Sequence, residues 1–394
     1  MKIFLSIFIA ILFITCKQDL SIPKKLTDSI QSIKNQYAPD KRTAIFNITA
    51  MATRAGIILK GETAIPKAKT ELLLALQGLN IIDSIEVWPS KDLGSELYGV
   101  ISVPVANMRS SPAHSSELAN QVLCGTVIRL FKLKGGWVYA QTPDDYLGWI
   151  DVEAVHPLDS NRLSEWLAKP KAFIVQDQSY IVDQPLTTAN VISPLSAGAI
   201  VIDNGSNGDQ FNKVSLADGR NGYIKSDHIV PLKLWQAQES KQQDAVSILN
   251  TARGYLGRPY LWGGTSANAM DCSGFTKMVF LRHDLILPRD ASQQVKVGLP
   301  IETDTSFANL QPGDFLFFGR KATDSLPEKI THVAMYLGNG KIIHSTGHVR
   351  IQSIKRGDST FAENRFKTFV RATRPLASPK EHGIFGTEDI KWFD

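Results

Sequence analysis

Apolar and polar positions alternate with a period of two over residues 43–52 and 56–63, which predicts a pair of strands. Pro66 then opens a helical stretch over 67–76 that Gly78 closes, and residues 81–88 return to a strand-like pattern. A small α+β unit is therefore expected over 41–92, preceded by a mixed polar tether with some helix over 17–40. From residue 96 to 233 the pattern becomes many short apolar runs broken by Gly, Pro, Asn and Asp, the signature of small β-barrels. Gly125-Thr-Val, Trp137-Val-Tyr-Ala and Gly148-Trp-Ile-Asp return as Gly198-Ala-Ile, Lys213-Val-Ser and Gly222-Tyr-Ile-Lys. This is a degenerate repeat with an offset of 73 to 74 residues. Two such units are expected, over 96–156 and 171–233, joined by a polar connector over 157–170. A helical, then mixed domain follows over 238–375, and the tail 376–394 holds too few apolar residues for a core of its own.

The chain of 394 residues, 43% hydrophobic and 21% charged, has material for several cores. Its net charge of +5 is dispersed, without the basic runs and interleaved aromatics of a nucleic-acid surface, so no nucleic-acid partner is expected. No paired-cysteine or H-E-x-x-H motif suggests a metal, no phosphate-cradling loop is present, and no cofactor is expected.

Met1-Lys2 precedes an apolar run over 3–15, too short to span a bilayer, and Cys16 stands where the run stops. The segment resembles a bacterial lipoprotein signal over 1–16, which implies a membrane anchor on a lipidated Cys16. Thr15 departs from the usual small residue before that Cys, and an uncleaved or differently cleaved signal is the alternative. Either reading makes the protein exported, in the cell envelope. Of the two remaining cysteines, Cys124 lies in the apolar run Gln-Val-Leu-Cys-Gly-Thr-Val-Ile and reads as a buried strand residue.

Cys272 has a different setting. Asp271 is a good helix N-cap and apolar residues follow at helical spacing, so Cys272 occupies the first turn of a helix. Unpaired N–H groups and the positive end of the dipole favour a thiolate there, and can stabilise an oxyanion. Thr331-His-Val-Ala-Met-Tyr-Leu-Gly-Asn-Gly-Lys-Ile-Ile-His-Ser reads as a hairpin turning at Gly338-Asn-Gly. A two-residue loop would pair 335 with 344 and separate the histidines. A three-residue loop pairs 334 with 344 and puts His332 and His344 on one face, and that register is favoured because a nucleophilic Cys needs a base and a group that orients it.

Together, Tyr260, Trp262-Gly-Gly, Asp271-Cys-Ser-Gly, Leu287-Pro-Arg-Asp, Gln311-Pro-Gly-Asp-Phe, His332 and His344 resemble the NlpC-type cysteine peptidases, a papain-like family of murein hydrolases. The resemblance implies Cys272 as nucleophile, His332 as base, His344 as orienting residue and Tyr260 as oxyanion support. Asn107-Met-Arg-Ser-Ser-Pro resembles the opening of a bacterial SH3-like domain. The expected fold is α+β, a papain-like peptidase domain preceded by two SH3-like barrels and a small α+β unit.

That arrangement is similar to γ-D-glutamyl-L-diamino acid endopeptidases of the dipeptidyl-peptidase VI type. The similarity implies murein peptides with a free N-terminal L-Ala as substrate, and a first SH3-like domain that covers one end of the cleft. Asp271, Tyr146 and Glu117 would hold the substrate ammonium, with Ser273, Asp290 and Ser292 as further cleft residues. Glu117 reads equally as a solvated loop acid. Two other readings are a hydrolase of the same bond in intact wall, and a wall-binding protein with a vestigial peptidase domain. Whether L-Lys or meso-diaminopimelate is preferred is open.

Overall fold

A computed structural model describes residues 21–377 and 383–390; the expected signal and Cys16 lie outside the described residues. The chain divides into two compact units, residues 1–41 with 45–87, and residues 42–44 with 88–394.

In the smaller unit, strands Phe46–Thr53, Gly56–Thr63 and Ile81–Val87 form a sheet in that order, the first pair antiparallel and the second parallel. The helix Pro66–Ala75 makes the crossover, as a parallel pair requires. The segment expected to be a tether with some helix contains the helix Lys24–Tyr37. Its Leu26 and Ile33 are buried, and Tyr37 donates to Glu71 of the second helix at 2.6 Å. An apolar stripe on this segment gives the small sheet a second helix to pack with.

In the larger unit, two seven-stranded antiparallel sheets run from Tyr98–Ile101 to Val155–Leu158 and from Lys171–Ile174 to Ile229–Pro231. Closed barrels were expected, but each sheet is open: the outer strands of the first, Val155–Leu158 and Leu118–Leu123, do not pair with each other. The edge strand Leu118–Leu123 meets the C-terminal domain instead, where Thr265 donates its N–H to Gln121 at 3.1 Å and its hydroxyl to Asn120 at 3.0 Å. The connector between the two sheets contains the helix Ser160–Ala168, N-capped by Asp159, with Leu163 and Trp166 buried.

The C-terminal domain is built on a six-stranded antiparallel sheet. Its order is Leu299–Ile301, Phe369–Arg374, Phe315–Arg320, Lys329–Gly338, Lys341–Thr346, His348–Ser353. On one face, Phe315, Phe317, Val333, Met335 and Ile343 pack with Phe275, Met278 and Val279 of the helix Cys272–Leu281 and with Ile248 and Leu249 of Ala245–Gly254. The other face carries Leu316, Phe318, Ala334 and Ile342 under Phe366 of the short helix Glu363–Lys367. The described part of the tail packs onto this domain. Ile384 is buried in the main core, and Thr387 donates through both N–H and hydroxyl to Asp284. No helix among the described residues is long and apolar enough to cross a membrane.

Candidate active site

Cys272 opens its helix behind the N-cap Asp271, whose Oδ1 accepts from the Gly274 N–H at 2.7 Å. Gly274 carries no Cβ because one would meet the Gly264 carbonyl oxygen at 2.0 Å. Gly263, at φ +77°, likewise lets the Trp262-Gly-Gly loop approach the Leu118 carbonyl of the first SH3-like sheet, which a Cβ would meet at 2.2 Å. The two motifs thus press the helix Cys272–Leu281, its preceding loop and that sheet together. A buried ion pair between Lys277 on the helix and Asp144 of the sheet lies at the same junction.

The hairpin brings the histidines together. Met335 pairs with Ile343, the favoured register, but the turn itself is the two-residue Asn339-Gly340 with positive φ at both, and the one-residue shift is taken up by a bulge at Leu337. His332 Nε2 and His344 Nδ1 are 2.7 Å apart, and His344 Nε2 is 2.8 Å from Gln352 Oε1 on the next strand. Gln352 accepts from the distal nitrogen, so His344 presents Nδ1 as acceptor and His332 donates from Nε2. His332 Nδ1 is thereby the nitrogen free to take a proton from the thiol. The thiol and the ring are not hydrogen-bonded to each other in this resting arrangement, which is common before substrate binds.

Burial, and then the Asp271 carboxylate, push the Cys272 thiol up to about 11, against the N–H groups of Val333 and Ser273 and the Arg289 guanidinium. Burial, the Arg365 guanidinium and His344 hold His332 well below the usual histidine range. Burial lowers His344 to about 4 although Gln352 opposes it. Both shifts favour the neutral thiol and the neutral imidazole. Tyr260 is half-buried; burial, Cys272 and Asp271 push its phenol up to about 12, so it stays a hydrogen-bond donor, and its hydroxyl has no partner among the described residues.

The expected substrate-binding residues divide. Asp271 and Ser273 are buried and engaged by Arg289, a fully buried side chain whose Nη2 lies 2.6 Å from Asp271 Oδ2 and whose Nη1 donates to Ser273 Oγ at 3.0 Å. Asp271 Oδ2 also accepts from the Gly263 N–H at 3.0 Å. In the unliganded chain this carboxylate is therefore held by partners of its own, Arg289 and the backbone of Gly263 and Gly274. Glu117 is exposed and accepts from Trp262 Nε1 at 2.8 Å. Tyr146 donates to Asp290 Oδ2 at 3.2 Å; Arg42 donates to the same oxygen at 2.8 Å and to Ser292 Oγ at 2.8 Å. Tyr146, Asp290, Ser292 and Arg42 therefore form one cluster, and Glu117 and Asp271 stand outside it. Among the described residues no group of three or more His, Cys, Asp or Glu is placed to hold a metal.

Sequence reasoning missed four of these residues. Arg289 stands within the quoted Pro-Arg-Asp motif without a role, and Gln352 could have been found by extending the hairpin one strand further. Arg42 and Arg365 have no local signal. Cys124 is buried and free, and it joins the core of the second SH3-like sheet.

Comparisons with known proteins agree with this architecture. Residues 257–370 match the NlpC/P60 family, and residues 108–155 match the bacterial dipeptidyl-peptidase Sh3 domain. The chain is 28% identical over 251 residues to dipeptidyl-peptidase 6 of Lysinibacillus sphaericus, covering 63% of this chain and 87% of that protein. It is 30% identical over 239 residues to a gamma-D-glutamyl-L-lysine dipeptidyl-peptidase of Bacillus subtilis, covering 58% of this chain and 72% of that protein. A crystal structure of an NlpC/P60 family protein from Bacillus cereus shares the fold at a TM-score of 0.56 and 21% identity, covering 71% of this chain and 99% of that one.

Proposed function

Because the chain belongs to the NlpC/P60 family of cysteine peptidases, we propose that it hydrolyses the γ-D-glutamyl–L-diamino acid bond of murein stem peptides bearing a free N-terminal L-Ala. The observation that carries this reading is the cluster of Tyr146, Asp290 and Ser292, in which a carboxylate of the peptidase domain, next to the SH3-like sheet, already holds a cationic nitrogen. An ammonium could replace the Arg42 guanidinium there, cation for cation, at little cost in desolvated charge. The names of the relatives support the same bond.

In this reading Cys272 attacks the γ-carbonyl as its proton passes to His332 Nδ1. His344, held by Gln352, steadies the imidazolium through His332 Nε2. The developing oxyanion takes hydrogen bonds from the backbone N–H groups at the helix start and from the Tyr260 hydroxyl. Collapse breaks the C–N bond, His332 returns the proton to the leaving amine, and water then cleaves the thioester. The family is one of cell-wall peptidases, which suggests an extracellular or envelope location; anchoring through a lipidated Cys16 is part of the proposal and rests on sequence alone.

The Arg42–Asp290 pair also supports a second reading. If Arg42 stays in place, that end of the cleft is already neutralised and suits the amide of a stem peptide still attached to intact wall. A digest of free tripeptide, tetrapeptide and intact sacculus, read by mass spectrometry, separates the two. Cleavage of the free peptides between D-Glu and the diamino acid, with the sacculus untouched, is the expected result.

A further inference from the structure

Arg365 and Arg350 are two cations beside the catalytic histidines with no assigned role. Arg365, on the helix Glu363–Lys367, lies with its guanidinium carbon 5.8 Å from the centre of the Phe318 ring, and that ring lies 5.8 Å from the His332 ring. Arg350 is the cross-strand partner of His344, so both side chains stand on one face of the sheet. The Nε of Arg350 is buried and has no hydrogen-bond partner. Neither guanidinium has an ion pair or hydrogen bond among the described residues, unlike Arg289, Arg371 and Arg374, each of which holds a carboxylate. The two arginines act on each other, and Arg365 also on Cys272 and Tyr260. Two uncompensated like charges at a half-buried site are unfavourable unless an anion joins them.

Their side of the cleft follows from the chemistry. The base that takes the thiol proton must return it to the leaving amine, so the leaving residue lies on the His332 side of Cys272. Arg365 and Arg350 lie on that side, whereas Tyr146, Asp290, Ser292 and Arg42 make a cluster of their own.

We propose that Arg365 and Arg350 form a carboxylate-binding site for the leaving diamino acid, which makes meso-diaminopimelate the preferred residue over L-Lys. The inference rests on the γ-D-glutamyl reading above and deepens it. The distal end of meso-diaminopimelate carries a carboxylate as well as an ammonium, whereas the distal end of lysine carries an ammonium alone. Two guanidiniums attract the first and repel the second, and Arg suits a planar carboxylate. The α-carboxylate of D-Glu stays on the acyl side and is common to both substrates.

The test is kcat/KM for L-Ala-γ-D-Glu-meso-diaminopimelate, its distal amide, and L-Ala-γ-D-Glu-L-Lys, with wild type, Arg365→Gln, Arg365→Lys and Arg350→Gln. Wild type should prefer the diaminopimelate peptide by about tenfold or more, and amidation should remove that preference. Arg365→Gln should bring the ratio near one whatever it does to the common rate, and Arg365→Lys should restore part of it. A ratio near one in wild type, or a ratio unchanged in both glutamine variants, overturns the inference while leaving the cleaved bond as proposed. Cleavage of none of the three peptides overturns that reading and this inference with it.

Discussion

Arg42 Nη1 lies 2.8 Å from Asp290 Oδ2, so a guanidinium from outside the peptidase fold occupies the carboxylate expected to serve the substrate. The contact is fixed at both ends. The Leu147 N–H donates to the Arg42 carbonyl at 2.8 Å, and Gln141 Nε2 donates to the Thr43 carbonyl at 2.9 Å. Both ionic side chains are about a third exposed or less, at 33% and 28%, so the pair is screened less than an open surface pair.

If the substrate ammonium replaces this guanidinium, Arg42→Ala should lower KM for a free-amine tripeptide roughly three- to tenfold and leave kcat nearly unchanged, because only ground-state competition is removed. Steady-state kinetics on the variant decide it. A raised KM would mean that Arg42 belongs to the productive site.

Cys272→Ser should abolish hydrolysis, whereas Cys124→Ser should keep its rate. Cys124 is sealed in the second SH3-like core, with burial pushing its thiol up to about 12, so its replacement acts on stability, by about 1–2 kcal/mol. Thermal melts together with kinetics separate the effects. Loss of activity on alkylation mapped to Cys124 alone would refute the assignment.

Gln352→Ala should leave His344 free to turn and lower kcat about tenfold, His344→Ala should cost more, and His332→Ala should cost the most, since only His332 transfers the proton. A Gln352→Glu variant, which retains the acceptor, should keep more activity than the alanine variant. The reverse order for His332 and His344 would exchange their roles.

Much of this was legible in the chain. The pairing of 334 with 344 followed from the chemistry both histidines must share, and Asp271 as N-cap followed from residue type. The bulge at Leu337 was not legible, because it reflects how Gly338, at φ +94°, and the tight Asn339-Gly340 turn fit the sheet together. Gln352 becomes legible only once the hairpin is extended by a third strand, because a polar residue on an isolated strand reads as solvent-facing. The open SH3-like sheets escaped for a related reason, since the edge strand Leu118–Leu123 finds partners in another domain, a long-range contact that leaves no local pattern. The helix over Ser160–Ala168 did leave one, in Asp159 as cap and Leu163 and Trp166 at helical spacing.

The neutral resting pair has a pH signature. The thiol pushed up to about 11 means that iodoacetamide alkylation of Cys272 should still be accelerating between pH 8 and 10, in proportion to thiolate. His332, lowered from 6.5, stays an unprotonated base on going below neutrality, so the acid limb of kcat/KM should fall below pH 6.5. Arg365→Gln removes a cation that opposes imidazolium formation and should move that limb upward. Alkylation already at its plateau at pH 6 would instead reveal a preformed thiolate–imidazolium pair.

The most direct measurement of the central claim is kcat/KM for L-Ala-γ-D-Glu-L-Lys against its N-acetyl form, with the products identified by mass spectrometry. In the free-amine reading the terminus takes the place of Arg42, and a neutral, bulkier terminus that did so would leave the Asp290 carboxylate unpartnered, so it is strongly disfavoured. The free peptide should be cut between D-Glu and Lys at least about a hundredfold faster, a gap of roughly 2.7 kcal/mol in transition-state stabilisation. Equal rates on the two peptides would contradict the account and make the enzyme a hydrolase of intact wall.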